Sequence, residues 1–227
     1  MPGWSSDNIN WVSALLSAIV PGLGLLISGY PLFAAQHLLL GGALGFATFG
    51  FFQVGGPGAG FLVGILTVFP WWVFQIFQSS FKNPQSLTQT WAIVWSNGHD
   101  IRFMGLLFFL AAVTDMFIIL KNPEYTLLLF CTRPGGWIGT LAKLQSPSFH
   151  LGIGYGFVRL RRWGFFLYLL YASYGLLNAS VNYACEGFGR IRTVFFLTLL
   201  VFTVFVIFRR SCFFKNFQNP SVPNTPF

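Results

Sequence analysis

The run FMGLLFFLAAVTDMFIIL, residues 103–120, decides the class of this protein. It is as long as the stretch of about 18 apolar residues that indicates a membrane-spanning helix, and Asp115 is its one charged residue. Of the 227 residues in the chain, 55% are hydrophobic and 8% are charged, whereas about 25% are charged in an ordinary soluble domain. The sequence therefore predicts an all-α, polytopic integral membrane protein.

Further apolar runs bring the predicted number of transmembrane helices to six. Their expected ranges are 11–27, 31–52, 60–78, 103–120, 164–181 and 193–208. Residues 137–158 form the alternative seventh span, although Lys143, Pro147 and His150 disfavour it.

The sequence pattern divides the chain into four regions. These are an N-terminal transmembrane hairpin (1–52), a third span with an interfacial helix (53–102), a C-terminal membrane region with a basic cytoplasmic connection (103–208), and a basic, then disordered tail (209–227). The interfacial helix is predicted over 84–98, where Ser86 and Gln89 form a capping-box pattern. Trp91 and Trp95 share its apolar face, which is typical of a helix lying on a membrane surface. A loop helix packed on protein is the alternative.

The first hairpin contains PGLGLLISGYP at residues 21–31, a stretch rich in helix breakers. In lipid such residues are tolerated where neighbouring helices satisfy the freed backbone groups. We expect Pro21 and Gly22 to kink the first span, and residues 29–31 to form the turn into the second. Small residues allow close helix packing, and the glycines predicted to serve this role are Gly24, Gly41, Gly45, Gly60 and Gly64.

The stretch SALLSAIVPGLGLLISG and the apolar span after it, residues 13–52 in all, resemble the PGLGQ-like helical hairpin of TM2-type small bacterial membrane proteins. Leu25 stands where that family has Gln, and the acidic–aromatic turn motif of the family is absent at residues 28–31. The resemblance implies a helical hairpin and implies no activity.

Two intramembrane residues are candidates for chemistry. Asp115 lies inside a predicted span, where an ionisable side chain is a functional hypothesis because an unpaired charge is costly in lipid. It can relay a proton, bind a cation or pair with a basic residue on another subunit. The structural alternative is a protonated or hydrogen-bonded Asp near the end of the helix. His37, in the second span, can ligate a haem or chlorin, or hydrogen-bond across the hairpin. The sequence itself fixes no cofactor.

Two further sets of polar side chains have a recognisable pattern. The predicted fifth span carries a polar face that lines a substrate path or joins helices by hydrogen bonds: Tyr171, Tyr174, Asn178 and Asn182. Arginines at span ends are expected to contact anionic lipid headgroups: Arg159, Arg161, Arg162, Arg209 and Arg210. No nucleic-acid-binding motif accompanies the net charge of +8.

Cysteine count and charge distribution give expectations about redox state and orientation. Cys131, Cys185 and Cys212 are an odd number without CxxC spacing, so the sequence predicts neither a disulfide framework nor a metal site. No Lys or Arg precedes Lys82, and the six-span arrangement assigns most of the later ones to the cytoplasm, among them Lys121, Arg133 and Lys143. Both termini are therefore expected to be cytoplasmic, in an energy-transducing or plasma membrane of the bacterial inner or thylakoid type.

The function expected from the sequence is non-catalytic. The chain has only five acidic residues and none of the common catalytic or nucleotide-binding motifs. We expect an accessory or assembly subunit of a larger membrane complex, in contact with membrane lipids and other integral membrane subunits. One alternative is a small transporter or channel that uses Asp115 and the polar face of the fifth span. Another is a pigment- or haem-binding subunit that uses His37.

Overall fold

A computed structural model describes residues 9–187 and 189–214, with only the backbone described at Arg190 and Ile191. Most of the predicted disordered tail, residues 215–227, lies outside this range. The described part contains helices and the loops between them, and no named strand. Its helices are α1 Trp11–Ile19, α2 Leu23–Ile27, α3 Pro31–Gly55, α4 Pro57–Ser79, α5 Leu87–Ser96, α6 His99–Lys121, α7 Gly136–Val158, α8 Arg162–Glu186, α9 Arg190–Phe208 and α10 Ser211–Phe214.

Four of these helices, α3, α4, α6 and α8, are long and apolar enough to cross a membrane. This finding confirms the all-α class and supports membrane insertion, while the count of six spans stays a prediction. The apolar part of α9, Arg192–Phe208, is shorter. Helix α5 forms where the interfacial helix was predicted, and Ser86 Oγ accepts the Gln89 backbone N–H at 3.3 Å as its capping-box pattern requires.

The described residues fall into two compact units. The first contains the chain up to Ser96 together with Gly189–Val194, and the second contains the chain from Asn97 to Gly187 together with Phe195–Phe214. In the second unit α6 packs on α7 and α7 packs on α8. Buried side chains from these helices and α9 form its core, including Ile101, Ile153, Phe157, Tyr168 and Val206.

The first predicted span, residues 11–27, is interrupted at Pro21 and Gly22, where a kink was expected, and forms two short helices. Val20 is extended and Gly22 has a φ of 81°, so the chain breaks between α1 and α2. Proline has no N–H to donate, and at Pro21 this frees the Ser17 carbonyl. The side-chain amide of Gln75 on α4 fills the gap, because its Nε2 donates to Ser17 O at 2.6 Å and its Oε1 accepts from Gly22 N at 3.1 Å.

Residues 137–158, the alternative seventh span, form the 23-residue helix α7, which is not among the four helices apolar enough to cross a membrane; a seventh span stays a prediction. Lys143 is accommodated because its Nζ donates to the Pro123 carbonyl at 2.7 Å, outside the helix. Glycines allow α7 to approach both neighbours. A Cβ on Gly105 of α6 would lie 2.8 Å from Gly154 O, and a Cβ on Gly156 would lie 2.5 Å from the Cα of Gly164 on α8.

Four of the five predicted packing glycines lie against neighbouring atoms, since a Cβ there would meet another residue. At Gly24 a Cβ would lie 1.9 Å from Ser13 O, and at Gly41 it would lie 2.3 Å from the Trp71 ring. At Gly60 it would lie 2.7 Å from Phe52 Cβ, and at Gly64 it would lie 3.4 Å from Thr48 Cγ2. Gly45 differs, because a Cβ there would have no atom within 4 Å. It therefore does not serve helix packing within the described part of the chain.

Candidate functional site

Asp115, His150 and Tyr171 form a continuous polar array across α6, α7 and α8. The Nδ1 atom of His150 lies 2.9 Å from Asp115 Oδ2, and its Nε2 lies 2.9 Å from the Tyr171 hydroxyl. Ser146, one helical turn before His150, donates its hydroxyl to Asp115 Oδ2 at 2.6 Å. Each helix of the packed layer thus contributes one titratable group to a single cluster.

The array lies in apolar surroundings. The His150 side chain is 10% exposed and that of Asp115 is 27% exposed. The Phe108 ring packs against the rings of both His150 and Tyr171, with centroids 5.5 and 6.3 Å away. In such a medium an isolated carboxylate is costly, and a neighbouring imidazole and hydroxyl are what keep it favourable.

The array can hold its protons in more than one arrangement. With Nδ1 protonated, His150 faces a carboxylate and its Nε2 accepts the Tyr171 hydroxyl. With Asp115 protonated, Nδ1 can accept the proton and Nε2 can donate to Tyr171. All three separations are within the reach of about 2.6–3.2 Å that direct proton transfer requires. The Nδ1–Oδ2 contact has the distance of an ion pair but lacks hydrogen-bond geometry, so the His150 ring must rotate before a proton passes to or from Asp115.

Sequence reasoning identified two members of this array and missed the third. Asp115 and Tyr171 were candidates, but His150 was considered only as a residue that disfavours a span over 137–158. The missed indication is spacing: Ser146 and His150 are four residues apart, as the members of one helix face are.

The remaining residues of the predicted polar face of α8 contact the loop between α6 and α7. Asn178 Oδ1 and Asn182 Oδ1 accept the backbone N–H groups of Phe130 and Cys131, each at 2.8 Å. Tyr174 packs its ring edge-on against Phe130 at 5.6 Å. Within the second unit these groups join a helix to the α6–α7 loop.

That loop contains a tight turn whose two central residues are both in the left-handed region. Leu129 and Thr132 exchange backbone hydrogen bonds of 2.8 Å, while Phe130 and Cys131 have φ values of 45° and 64°. Such a turn favours Asn and Gly, and non-glycine residues there cost about 1–3 kcal/mol each. The contacts from α8 hold it in place.

A disulfide joins Cys131 to Cys185 near the end of α8, which corrects the expectation that the cysteines stay unpaired. The pairing links residues 54 positions apart, so their spacing in the sequence does not indicate it. Asn178, Asn182 and Cys185 do share one face of α8, at steps of four and three residues, and that pattern was available. Cys212 is buried and outside the disulfide.

His37 lies in the first unit, in the interface between α3 and α4. It is fully buried, and its Nε2 bonds to Gln78 Oε1, while Gln78 Nε2 donates to Gln85 O at 2.5 Å. The acceptor at Nε2 places the proton there and leaves Nδ1 as a lone pair. A haem or chlorin needs an open face beside the ligating nitrogen. A side chain with no exposed surface offers none, so this arrangement does not fit either group.

The predicted lipid-binding arginines differ in their surroundings. Arg209 is buried, and its Nε and one terminal nitrogen donate to the two carboxylate oxygens of Asp100 at 2.6 and 2.8 Å. It therefore belongs to an internal ion pair and is not available to headgroups. The others are exposed: Arg159, Arg161, Arg162 and Arg210.

The fold defines the class of this protein: over residues 9–187 and 189–214 its regular structure is helical, with four helices that could span a membrane. No protein family, curated protein or solved structure matches it. The TM2-type resemblance of residues 13–52 therefore stays a prediction. Within the described residues, no group of three or more His, Cys, Asp or Glu side chains could hold a metal ion.

Proposed function

We propose that this chain is an integral membrane protein that moves protons, with Asp115 as the proton-accepting group. The observation that carries the proposal is the contiguity of Asp115, His150 and Tyr171 across three packed helices. An intramembrane acid with an imidazole partner is the type of group that proton relays use. The proposal develops the transporter-or-channel alternative and gives it a specific ion.

The distances favour a proton over a larger solute. Asp115 contacts Ser146 and His150 at 2.6 and 2.9 Å, so no space for a solute separates these groups. A proton needs none, because it can pass between acid and base groups at these separations once a small ring rotation aligns His150 Nδ1 with Asp115. Uptake at Asp115 and transfer through the imidazole require only an exchange of donor and acceptor roles.

The experiment is a proton-flux assay on purified protein in liposomes that contain a pH-sensitive dye, with a potassium diffusion potential as the driving force. Asp115→Asn should reduce the flux at least about a hundredfold, since a positioned acid–base group contributes about 10²–10⁴-fold. His150→Gln should also reduce it. Thr114→Val is the matched control, because the Thr114 hydroxyl bonds only to the backbone carbonyl of Leu110 among the contacts described.

Two results would reject the proposal. One is a wild-type flux no greater than that of empty liposomes. The other is a flux that Asp115→Asn leaves unchanged relative to Thr114→Val.

A second candidate is the accessory or assembly subunit of a larger membrane complex. It is supported by α3, since none of the residues in its most apolar window is buried within the described structure. Leu39, Phe46 and Val54 are among its exposed side chains, which lipid or another integral subunit would cover. Gentle detergent extraction followed by native electrophoresis tests it: migration as a single small species would reject it.

The type of membrane and the side on which the termini lie are also proposals. We propose that both termini are cytoplasmic, in an energy-transducing or plasma membrane. The exposed arginines that precede α8 and follow α9 support this for the C-terminal half. Reporter fusions at each terminus would test it.

A further inference from the structure

The helices of the second unit share two ends. A Cβ on Gly98, just before α6, would lie 3.2 Å from Leu160 and 3.7 Å from Cys212, so the start of α6 and the α7–α8 turn meet there. We call this the arginine end. At the opposite, disulfide end, Asn182 holds the α6–α7 loop and Lys143 bonds to Pro123. Helix α7 therefore runs antiparallel to the candidate spans α6 and α8 and covers the same thickness, about 34 Å at 1.5 Å per residue.

The two ends differ in charge. The arginine end carries six basic side chains and one acidic one: Arg102, Arg159, Arg161, Arg162, Arg209 and Arg210, with Asp100. The disulfide end carries three basic residues and two acidic ones: Lys121, Arg133 and Lys143, with Glu124 and Glu186. Three of the arginines at the first end also lie within four consecutive positions, 159–162.

Aromatic side chains accompany this concentrated charge. The rings of Tyr155 and Trp163 stack at 6.1 Å, and both residues are exposed. The guanidinium of Arg162 lies 5.5 Å from the centre of the Phe214 ring. Tyr and Trp prefer the headgroup level of a bilayer, and basic side chains there are attracted to anionic lipid.

The opposite end carries the exposed Cys131–Cys185 disulfide. Disulfides persist in oxidising compartments and are rare in the cytosol, where thiols are kept reduced. Its position therefore gives an orientation independent of the charges, and the two agree. This orientation moves Lys121, Arg133 and Lys143 out of the cytoplasm, where the six-span arrangement had placed them.

We infer that the second unit crosses the membrane with its disulfide end in an oxidising compartment, and that Arg159, Arg161 and Arg162 bind anionic phospholipid headgroups in the cytoplasmic leaflet. The inference does not depend on proton movement by Asp115. It assigns a lipid partner to one surface and a direction to the whole unit.

The orientation is tested by thiol labelling in intact cells that express the chain. In a Cys212→Ala background, one new cysteine is placed at an exposed position of the disulfide end (Thr126→Cys) or of the arginine end (Ser211→Cys). A membrane-impermeant maleimide should label the first variant in intact cells and the second only after permeabilisation. The reverse pattern, or alkylation of Cys131 and Cys185 without prior reduction, would overturn the orientation.

The lipid partner is tested by native mass spectrometry of the full chain after reconstitution with phosphatidylglycerol and phosphatidylcholine. Replacing Arg159, Arg161 and Arg162 by Gln should reduce retained phosphatidylglycerol about a hundredfold and leave phosphatidylcholine unchanged, because only the charge attraction of three side chains is lost. Arg133→Gln, at the disulfide end, is the control. Equal retention by the triple variant and wild type, or an equal loss with Arg133→Gln, would overturn the assignment.

Discussion

The Asp100–Arg209 pair should be a major determinant of stability in the second unit. It joins the first turn of α6 to the end of α9 across 109 positions, and the two side chains are only 7% and 6% exposed. Removing one member of a buried pair leaves an uncompensated charge, at a cost of about 3–5 kcal/mol. Asp100→Asn and Arg209→Met should each lower the free energy of unfolding by that amount.

The double variant measures the interaction energy between Asp100 and Arg209, apart from the effect of losing each side chain alone. Because it leaves no unpaired charge, its loss should be smaller than the sum of the two single losses, by about 1–3 kcal/mol. The measurement is unfolding in mixed micelles by increasing SDS, followed by circular dichroism. The exposed pair Arg133–Glu186, at 58% and 35% exposure, is the matched control, and Arg133→Met should cost about 0–1 kcal/mol.

One pattern of results would refute this reasoning. If both single variants lose less than about 1 kcal/mol and their effects add in the double variant, the pair behaves as a solvated surface contact. The burial of the two side chains would then not determine how much the ion pair contributes to the free energy of unfolding.

Three further predictions concern other parts of the chain. Gln75→Leu removes two hydrogen bonds at the α1–α2 break and should cost about 2–4 kcal/mol in the same unfolding assay; a loss below about 0.5 kcal/mol would show that water replaces the amide. Gly24→Ala places a Cβ 1.9 Å from a backbone oxygen and should destabilise the first unit, whereas Gly45→Ala, in open space, should be neutral or slightly stabilising; equal effects would contradict the packing described. Asn182→Ala removes the 2.8 Å contact to the turn and should speed reduction of the Cys131–Cys185 disulfide by dithiothreitol, and an unchanged rate would count against its role in holding the loop.

The class of fold could be predicted because it depends on local properties. Runs such as 103–120 are apolar over the whole length of a span, and no distant contact changes that. Asp115 could be singled out for the same reason, since a charge within such a run is visible without knowing its partners.

The features that could not be predicted depend on contacts between distant residues. The break after α1 is stable because Gln75, 58 positions from Ser17, completes its hydrogen bonds. Helix α7 tolerates His150 because Asp115 and Tyr171 lie on its two neighbours. A kink at Pro21 and Gly22 could be expected from the sequence, but the distant side chain that completes its hydrogen bonds could not. His150 counted against a span over 137–158 because its partners lie on other helices.

The glycine contacts of α7 also limit the conformational changes that the second unit can undergo. Gly154 and Gly156 bring the backbone of α7 against α6 on one side and α8 on the other. Sliding α7 along either neighbour would push side chains into the space that only a hydrogen atom now occupies. The three helices should therefore move as one rigid block, and access to Asp115 would be gated by side-chain rotation and hydrogen-bond rearrangement, without the rocking of helices that carriers of larger solutes require.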